Sequence, residues 1–478
     1  MMERRSHPLP ALLLLAGFAL LVAPALFTSP GGRAQAVDER IFHLEVVRTF
    51  AAQWPAPDLR DYPSATSPGF HLVLAMVHRA TDGSIAALRL ATACAGALLL
   101  LLVWWRAARW AGAWMGVAAA LPFCCCGYTV AASAWVSTDL AGLLPAASSV
   151  ALLAGAPPTA GVLLSAGACT AVAVFVRQTA LWAAAPIVAA AFAGSPAGRW
   201  LPDCLQWSGD LPRRRGRLLA AALALALPLA TLATLGLLWG GAVPARFRAY
   251  HGAGLNGAAT TFCLAALGAW GVMLLPGALH GSGLRDLLKR RAVAAAIILG
   301  VGAAAALLPA SAYHVAADTS SPLYVPAPGE TAVPEVGRYG GVLWALAQAW
   351  DARSWLPHLP GRSLPLAVLA FVGAFCTLAL WDRAARVGRG RHAAVIVVTI
   401  GAFAMVQALN SQTFERYFDP FLLLALGWLA ALGVRRRDDV HAVRTTVGLL
   451  LLSAVQLALT LGTVYSEPLA ALLRRSPG

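Results

Sequence analysis

Residues 9–27 read LPALLLLAGFALLVAPALF, and residues 38–43 read Asp-Glu-Arg-Ile-Phe-His. The first stretch is long and apolar enough to form a transmembrane helix. We interpret it as a retained helix because no clean small-residue cleavage site closes it before Asp38. Two adjacent carboxylates therefore follow at the expected boundary between membrane and water, where a charge is costly to desolvate.

The acidic pair Asp38 and Glu39 allows two interpretations. In one, Asp38 caps a solvated helix and Glu39 lies in its first turn. In the other, the pair belongs to a functional site and one carboxylate acts as a base. Neighbouring residues on a helix point about 100° apart, so both cannot face one proton. We favour Asp38 as the base and expect Glu39 to position the acceptor or to meet a basic partner, either Arg40 or the loop 312–362.

The composition excludes a soluble protein. The 478 residues are 59% hydrophobic and 12% charged, with a mean hydropathy of +0.69. We predict an all-α polytopic membrane protein with one integral membrane domain, 1–478, and an interfacial helix at 69–80. Repeated apolar runs predict about thirteen transmembrane helices, at 9–28, 85–105, 111–133, 136–155, 158–175, 178–194, 217–240, 258–279, 292–311, 363–381, 392–409, 416–434 and 445–465.

The distribution of charge predicts the topology. With the N-terminus inside, the cytoplasmic segments hold 21 of the 36 basic residues and 7 of the 21 acidic ones, a net charge of about +14. This asymmetry is the positive-inside pattern of membrane proteins. The overall charge of +15 therefore reflects topology and attraction to lipid. We expect no nucleic-acid partner.

Two long segments, 29–84 and 312–362, fall on the outer side. They mix proline, aromatic residues and both signs of charge, and long loops with structure of their own usually carry function. We expect two structured outer loops, the first with interfacial helices. The cysteines lie mostly in apolar runs and show no metal-ligand spacing, so we expect neither a disulfide framework nor a metal.

Polar residues near helix ends also fall on the outer side. Interfacial arginine, tyrosine and tryptophan commonly anchor helices, which is the plainer explanation for each alone. Arg177 is different because it joins two apolar runs in a very short connection, where a cationic fork suits a phosphate. The candidate residues on this side are Asp38, Glu39, His43, Asp139, Arg177, Gln178, His251, Asp318, Glu415, Arg416 and Tyr417.

One chemistry suits outward carboxylates with arginines at headgroup level. The phosphate of a polyprenyl-phosphate sugar lies at the membrane surface. An acceptor hydroxyl attacks the anomeric carbon, a carboxylate removes its proton, and arginines stabilise the departing lipid phosphate. This reaction needs no nucleotide-binding glycine loop, and we expect no cofactor.

Six short motifs resemble, in order, the dolichyl-phosphate-glucose-dependent α-1,2-glucosyltransferases, multi-spanning glycosyltransferases of GT-C type. The family has an acidic pair before Phe-His, a Thr-Thr-x-Pro-Gly turn, Tyr-Thr-Glu-Ala-Gly, Phe-Arg-Gln-Thr-Asn, Gly-Gly-x-Val before Ser-His, and Glu-x-Arg-Tyr-Phe-x-x-Pro. The matching segments here begin at Asp38, Thr66, Ser137, Phe175, Gly240 and Phe414. They extend from residue 38 to residue 420.

The resemblance implies a GT-C-like fold and transfer of a hexose with inversion, glucose being favoured. It implies that Asp38 and Glu39 hold the catalytic base and that Arg177 and Arg416 face the donor phosphate. Two departures concern the acceptor and the sugar. Asp318 lacks the Arg-His-Tyr that follows it in the family, and the Gly-Asp-(Lys/Arg)-Ser segment before His251 has changed.

The composition predicts a bacterial source. Lys289 is the single lysine, and alanine, glycine and arginine dominate, which is typical of a GC-rich bacterial genome. We expect an integral protein of the bacterial inner membrane, with its site on the periplasmic face. The donor would be a polyprenyl-phosphate sugar and the acceptor a glycan or lipid. The alternatives are a mannosyl- or arabinosyltransferase of another GT-C branch, or a polytopic lipid or sugar transporter.

Overall fold

The structure, a computed structural model, describes residues 8–27, 37–192, 211–245, 255–281, 283–311, 339–410, 413–435 and 439–466. These residues form an assembly of helices with one pair of two-residue strands. The predicted all-α polytopic class is confirmed. The candidate residues His251 and Asp318 lie outside the described residues.

The described residues of the N-terminal half form nine α-helices and two short helices of other pitch. A π-helix, Glu39–His43, precedes α2, and a 3-10 helix, Gln178–Ala184, precedes α9. The α-helices are α1 Leu9–Leu26, α2 Leu44–Ala52, α3 Gly69–Ala80, α4 Ile85–Ala111, α5 Ala113–Cys124, α6 Gly127–Ala134, α7 Asp139–Leu153, α8 Ala160–Val176 and α9 Ala185–Phe192.

The described residues of the C-terminal half form ten α-helices, a 3-10 turn at Val272–Leu274, and strands β1 Tyr339–Gly340 and β2 Thr413–Phe414, which pair in parallel. The helices are α10 Leu211–Trp239, α11 Gly257–Gly271, α12 Leu275–Ala278, α13 Leu284–Arg290, α14 Ala292–Leu307, α15 Val342–Asp351, α16 Leu364–Arg386, α17 Gly390–Gln407, α18 Glu415–Gly433 and α19 Asp439–Thr463.

Within the described residues, seven helices are long and apolar enough to cross a membrane, or nine if two bent pairs each count as one span. The predicted span 111–133 is one such pair, since α5 and α6 meet at 75°. The predicted spans at 136–155, 158–175 and 178–194 correspond to shorter apolar helices. The exact number of thirteen therefore stays a prediction. The helix expected at 69–80 is present as α3.

Small residues let the helices approach closely, as is usual in membrane proteins. Gly268 on α11 and Gly373 on α16 face each other, and a Cβ atom on either would clash with the backbone of the other helix. Exchange of either glycine for alanine would have to separate the two helices.

Helix α18 is the centre of the bundle. Its side chains are buried along almost the whole of its length, and it packs against α4, α5, α11 and α16. A helix enclosed by protein on all sides is held in position and rotation by packing. Its N-terminal residues, Glu415, Arg416 and Tyr417, are therefore presented at a defined place.

Candidate functional site

The Glu39 carboxylate anchors the acidic segment in the protein interior. Its side chain is 2% exposed and pairs with Arg89 on α4, with Nη2 of the arginine 2.6 Å from Oε1. The backbone N–H of Val136 donates to Oε2 at 2.6 Å, and Arg89 also donates to the carbonyl of Leu26 at 2.8 Å. Glu39 thus ties together the end of α1, α4 and the connection before α7. Glu39 therefore pairs with Arg89 and not with Arg40, as one expectation had it. Residues 312–338 of the loop that was the other expected partner lie outside the described residues.

Asp38 points elsewhere, toward the N-terminus of α18. One Asp38 oxygen lies 2.5 Å from Nη1 of Arg416, and Nη2 of Arg416 donates to the Tyr417 hydroxyl at 2.9 Å. Asp38 has helical backbone angles and its side chain caps no helix, so the capping interpretation is wrong. Its side chain is 26% exposed, which leaves this carboxylate open to a ligand while Glu39 is enclosed.

A second ion pair lies beside the first. Arg177, at the end of α8, forms a salt bridge with Asp139, the first residue of α7. The aliphatic part of Arg177 rests against Gly142, one turn further along α7. The guanidinium groups of Arg177 and Arg416 lie 5.6 Å and 4.9 Å from the centre of the Tyr417 ring. One aromatic ring therefore holds two cations near each other.

The amide of Gln178 joins two motifs that are more than 100 residues apart. Its oxygen accepts hydrogen bonds from the backbone and the hydroxyl of Ser67, at 3.1 Å and 3.0 Å. Its nitrogen donates to the carbonyl of Ala65 at 2.6 Å. A Cβ on Gly69 would lie 2.7 Å from the carbonyl oxygen of Phe175. The turn before α3 therefore packs directly on the segment that carries Arg177.

The Glu415 carboxylate is held by hydrogen bonds from two other helices, α6 and α15. Its carboxylate accepts a hydrogen bond from the Tyr128 hydroxyl at 3.0 Å and from the backbone N–H groups of Val342, at 2.9 Å, and Leu343. These N–H groups are unpaired within α15, whose N-terminus favours a negative charge. Burial raises the pKa of Glu415, and the hydrogen bonds oppose this rise. Glu415 thereby fixes α15 to α18 and does not pair with Arg416.

His43 forms a buried pair with His71 of α3. Nδ1 of His43 lies 2.9 Å from Nε2 of His71, and the rings stack with centroids 5.2 Å apart. Burial, with the charges of Arg177 and Arg416, lowers the pKa of His43 to about 3. Burial also lowers the pKa of His71 well below its ordinary value. Both rings are therefore neutral at pH 7 and connect the acidic segment to α3.

An open cleft, about 560 Å³ with its solvent-open space included, adjoins both ion pairs. Arg177, Asp139 and Arg416 form its polar end, and Trp182, Phe403, Leu143 and Phe421 lie among its apolar side chains. The centre of the Trp182 ring lies 4.7 Å from the centre of the Phe421 ring and 5.4 Å from that of the Phe403 ring. A site with cations at one end and an aromatic wall suits an amphiphilic anion.

The nine candidate residues that the structure describes thus divide into two groups. Asp139, Arg177, Arg416 and Tyr417 line the cleft, and Asp38 pairs with Arg416. Four others support the surrounding backbone, namely Glu39, His43, Gln178 and Glu415.

Sequence reasoning missed Arg89, His71, Tyr128 and the aromatic wall. The sequence could have indicated Arg89, because a charged residue inside an apolar run is costly and usually pairs with an opposite charge. In the aromatic wall, Trp182 follows the motif that begins at Phe175, whereas Phe403 and Phe421 carried no signal because they belong to ordinary apolar runs.

No family model and no curated protein sequence matches the chain. Among solved structures it is similar to ArnT from Cupriavidus metallidurans bound to undecaprenyl phosphate, with 14% identity, a TM-score of 0.36 and coverage of 94% of this chain and 77% of ArnT. It is also similar to the Archaeoglobus fulgidus oligosaccharyltransferase in the apo form, with 13% identity, a TM-score of 0.46 and coverage of 94% and 55%.

A third similar structure is the archaeal oligosaccharyltransferase AglB from Archaeoglobus fulgidus, in complex with an inhibitory peptide and a dolichol-phosphate. It has 13% identity, a TM-score of 0.40, and coverage of 94% of this chain and 56% of AglB. Similarity at these TM-scores establishes neither a family nor an activity.

We predict that Glu39→Gln destabilises the protein. Removing one charge from a buried ion pair leaves the other uncompensated and typically costs about 3–5 kcal/mol of unfolding free energy. The unfolding midpoint of the purified protein in detergent should therefore fall. Glu45→Gln is the matched control, because Glu45 is exposed on α2. Combining Glu39→Gln with Arg89→Met should cost less than the sum of the two changes, and strict additivity would contradict the pairing.

We also predict that acid destabilises the protein through His43. The unfolded state binds a proton near pH 6.5, whereas folded His43 binds one only near pH 3. The contribution of neutral His43 to the unfolding free energy is therefore fully present above pH 6.5 and is lost as the pH falls toward 3. At pH 5.5 the loss from this one group is about 1.4 kcal/mol. The unfolding midpoint measured from pH 7.5 to 4.5 should fall less in His43→Gln than in the parent. In the control His358→Gln, which changes an exposed ring, the unfolding midpoint should fall as much as in the parent. If the midpoint of His43→Gln also falls as much as that of the parent, His43 is not the group responsible.

Proposed function

We propose that the protein is a membrane glycosyltransferase of GT-C type that transfers a hexose from a polyprenyl-phosphate donor. The observation that carries this proposal is the cleft in which Arg177 and Arg416 stand together over Tyr417 at the end of an apolar wall. Two adjacent guanidinium groups suit the phosphate. The apolar wall suits the first part of the prenyl chain.

Arg416 retains a free donor for the phosphate. Its Nη1 binds Asp38 and its Nη2 binds Tyr417, while its Nε is buried without a partner among the described residues. A buried donor without an acceptor is costly, and a bound phosphate oxygen would satisfy it. Burial also lowers the pKa of Arg177. A phosphate beside Arg177 would stabilise its charged form.

In the proposed reaction one bond forms, one bond breaks and one proton moves to a carboxylate. The acceptor hydroxyl oxygen forms a bond to the anomeric carbon as the bond from that carbon to the phosphate oxygen breaks. The phosphate leaves with the bonding electron pair, and its added negative charge is stabilised by the two arginines. A carboxylate takes the hydroxyl proton. Attack opposite the leaving group inverts the anomeric centre.

Asp38 is the proposed base. It pairs with Arg416, which lines the cleft, and is partly exposed, whereas Glu39 is enclosed by Arg89 and Val136. A donor phosphate that binds Arg416 would compete with the Asp38 carboxylate for that guanidinium. This competition would leave an Asp38 oxygen available to accept the proton. Asp139, paired with Arg177, is the second candidate.

The proposed location is the periplasmic face of a bacterial inner membrane. It rests on the excess of basic residues in the segments assigned to the cytoplasm. Segments 29–84 and 312–362 would then be outer loops beside the site. The sequence resemblance favours glucose as the sugar and a glycan or lipid as acceptor. Purified protein incubated with a panel of radiolabelled polyprenyl-phosphate sugars would identify the donor, and lack of transfer from every donor would overturn the function.

We predict that Arg177→Lys and Arg416→Lys each lower the transfer rate at least tenfold. Lysine keeps the charge but loses the planar fork that binds a phosphate at two points. The measurement is turnover of a supplied polyprenyl-phosphate sugar, with equal amounts of folded protein. Arg353→Lys is the matched control, because Arg353 is exposed. Parent-like turnover in both variants would show that these arginines serve only as anchors.

We predict that Asp38→Asn lowers the transfer rate about 10²–10⁴-fold, the usual cost of removing a general base. Because the Asp38 side chain is 26% exposed, loss of its charge should lower the unfolding midpoint less than Glu39→Gln does. Asp139→Asn should cost less, since Asp139 would act through Arg177. A loss below tenfold in Asp38→Asn with a large loss in Asp139→Asn would assign the base to Asp139 instead.

A further inference from the structure

A second basic cluster lies at the opposite end of the helices that frame the cleft. Helix α4 carries Arg89 near its start and Arg106 near its end, 17 residues later. At 1.5 Å per residue the two positions are about 25 Å apart. Helix α7 likewise runs from Asp139, at the cleft, to a turn at residues 154–156. The basic cluster surrounds this turn.

Side chains from two different helices converge on the turn. Nη2 of Arg106 donates to the carbonyl of Ala154 at 3.2 Å. Its guanidinium lies 4.3 Å from the centre of the Trp110 ring and packs so closely on Gly155 that a Cβ there would clash. Nη2 of Arg391, at the start of α17, donates to the carbonyl of Ala156 at 3.3 Å.

Two further basic groups belong to the same cluster. His392 lies within electrostatic range of Arg106 and Arg391 and contacts the backbone of Ala154. Arg217 of α10 acts electrostatically on Arg391. The cluster therefore contains Arg106, Arg217, Arg391 and His392, contributed by three helices.

The charge of this cluster is not balanced within the described part of the chain. Arg106, Arg217 and Arg391 form no salt bridge to any carboxylate of the described residues. The C-terminus of α7 supplies only about half a negative charge. By contrast, Arg290 and Arg291, which lie outside this cluster, both pair with the Asp382 carboxylate.

The cluster also contains buried donors without acceptors. The Nε atoms of Arg106, Arg217 and Arg391 are buried and have no hydrogen-bond partner among the described residues, and the same is true of Nδ1 of His392. The side chain of Arg106 is more than nine-tenths buried. Buried donors are nearly always satisfied, by protein groups, ordered water or a bound ion. Three such guanidinium groups point to an anion with several acceptor oxygens.

We propose that this cluster binds a phosphate group, supplied by the headgroup of an anionic phospholipid. The cluster lies at the end of candidate membrane helices, and the neighbouring Trp105 and Leu219 are 46% and 63% exposed. A phosphate there would face the cations while its acyl chains follow the exposed apolar side chains. Basic pockets between transmembrane helices on the cytoplasmic side bind anionic headgroups in this way.

The test uses the full chain purified in a neutral detergent. The unfolding midpoint is measured during titration with phosphatidylglycerol, phosphatidylcholine or inorganic phosphate. Phosphatidylglycerol should raise the midpoint at concentrations where phosphatidylcholine does not. Arg217→Gln and Arg391→Gln should each weaken its apparent affinity about fivefold. Arg106 is left unchanged because it also holds the end of α7.

Arg285→Gln is the matched control, since it removes one exposed charge from the same predicted face outside the cluster. It should leave the affinity for phosphatidylglycerol unchanged. A response to inorganic phosphate alone, lost in the two cluster variants, would retain the phosphate site but overturn the lipid as its source. No response to either compound, or an equal response in all variants, would overturn the site itself.

Discussion

The architecture around the cleft depends on one buried carboxylate. Glu39 lies in the interior, where an uncompensated charge is far more costly than at the surface. Arg89 supplies the opposite charge and the Val136 N–H a further hydrogen bond, while Arg89 also binds the end of α1. These contacts hold three parts of the fold together. They also set the direction of the adjacent Asp38, which faces Arg416.

The cleft combines a rigid centre with connections from distant parts of the chain. The buried helix α18 presents Arg416 and Tyr417, and Glu415 fixes α15 beside them. Gln178 fastens the segment after α8 to the turn before α3. Side chains whose neighbours are fixed in this way lose little freedom when a ligand binds. The proposed donor site would therefore be largely formed before the lipid arrives.

The two ends of α7 illustrate how electrostatics differ across the bundle. At its N-terminus Asp139 offsets Arg177. At its C-terminus arginines surround carbonyl groups without a carboxylate from the described residues. Cations at a helix C-terminus are favourable, but their number exceeds what the helix can neutralise. Helix α7 therefore has one end at which a carboxylate offsets the cation and one end at which the described residues supply no carboxylate to the surrounding arginines.

The sequence by itself determined the helical membrane class, the apolar segments and the short motifs that carry Asp38, Arg177 and Arg416. Those features follow from composition and from local order along the chain. Only the tertiary structure decided that Asp38 meets Arg416, 378 residues away, and that Glu39 is enclosed by Arg89, 50 residues away. Adjacent carboxylates look alike in a sequence, yet on a helix they point in different directions. Their separate environments arise from helix packing, which brings distant residues into contact and encloses one carboxylate while leaving its neighbour open.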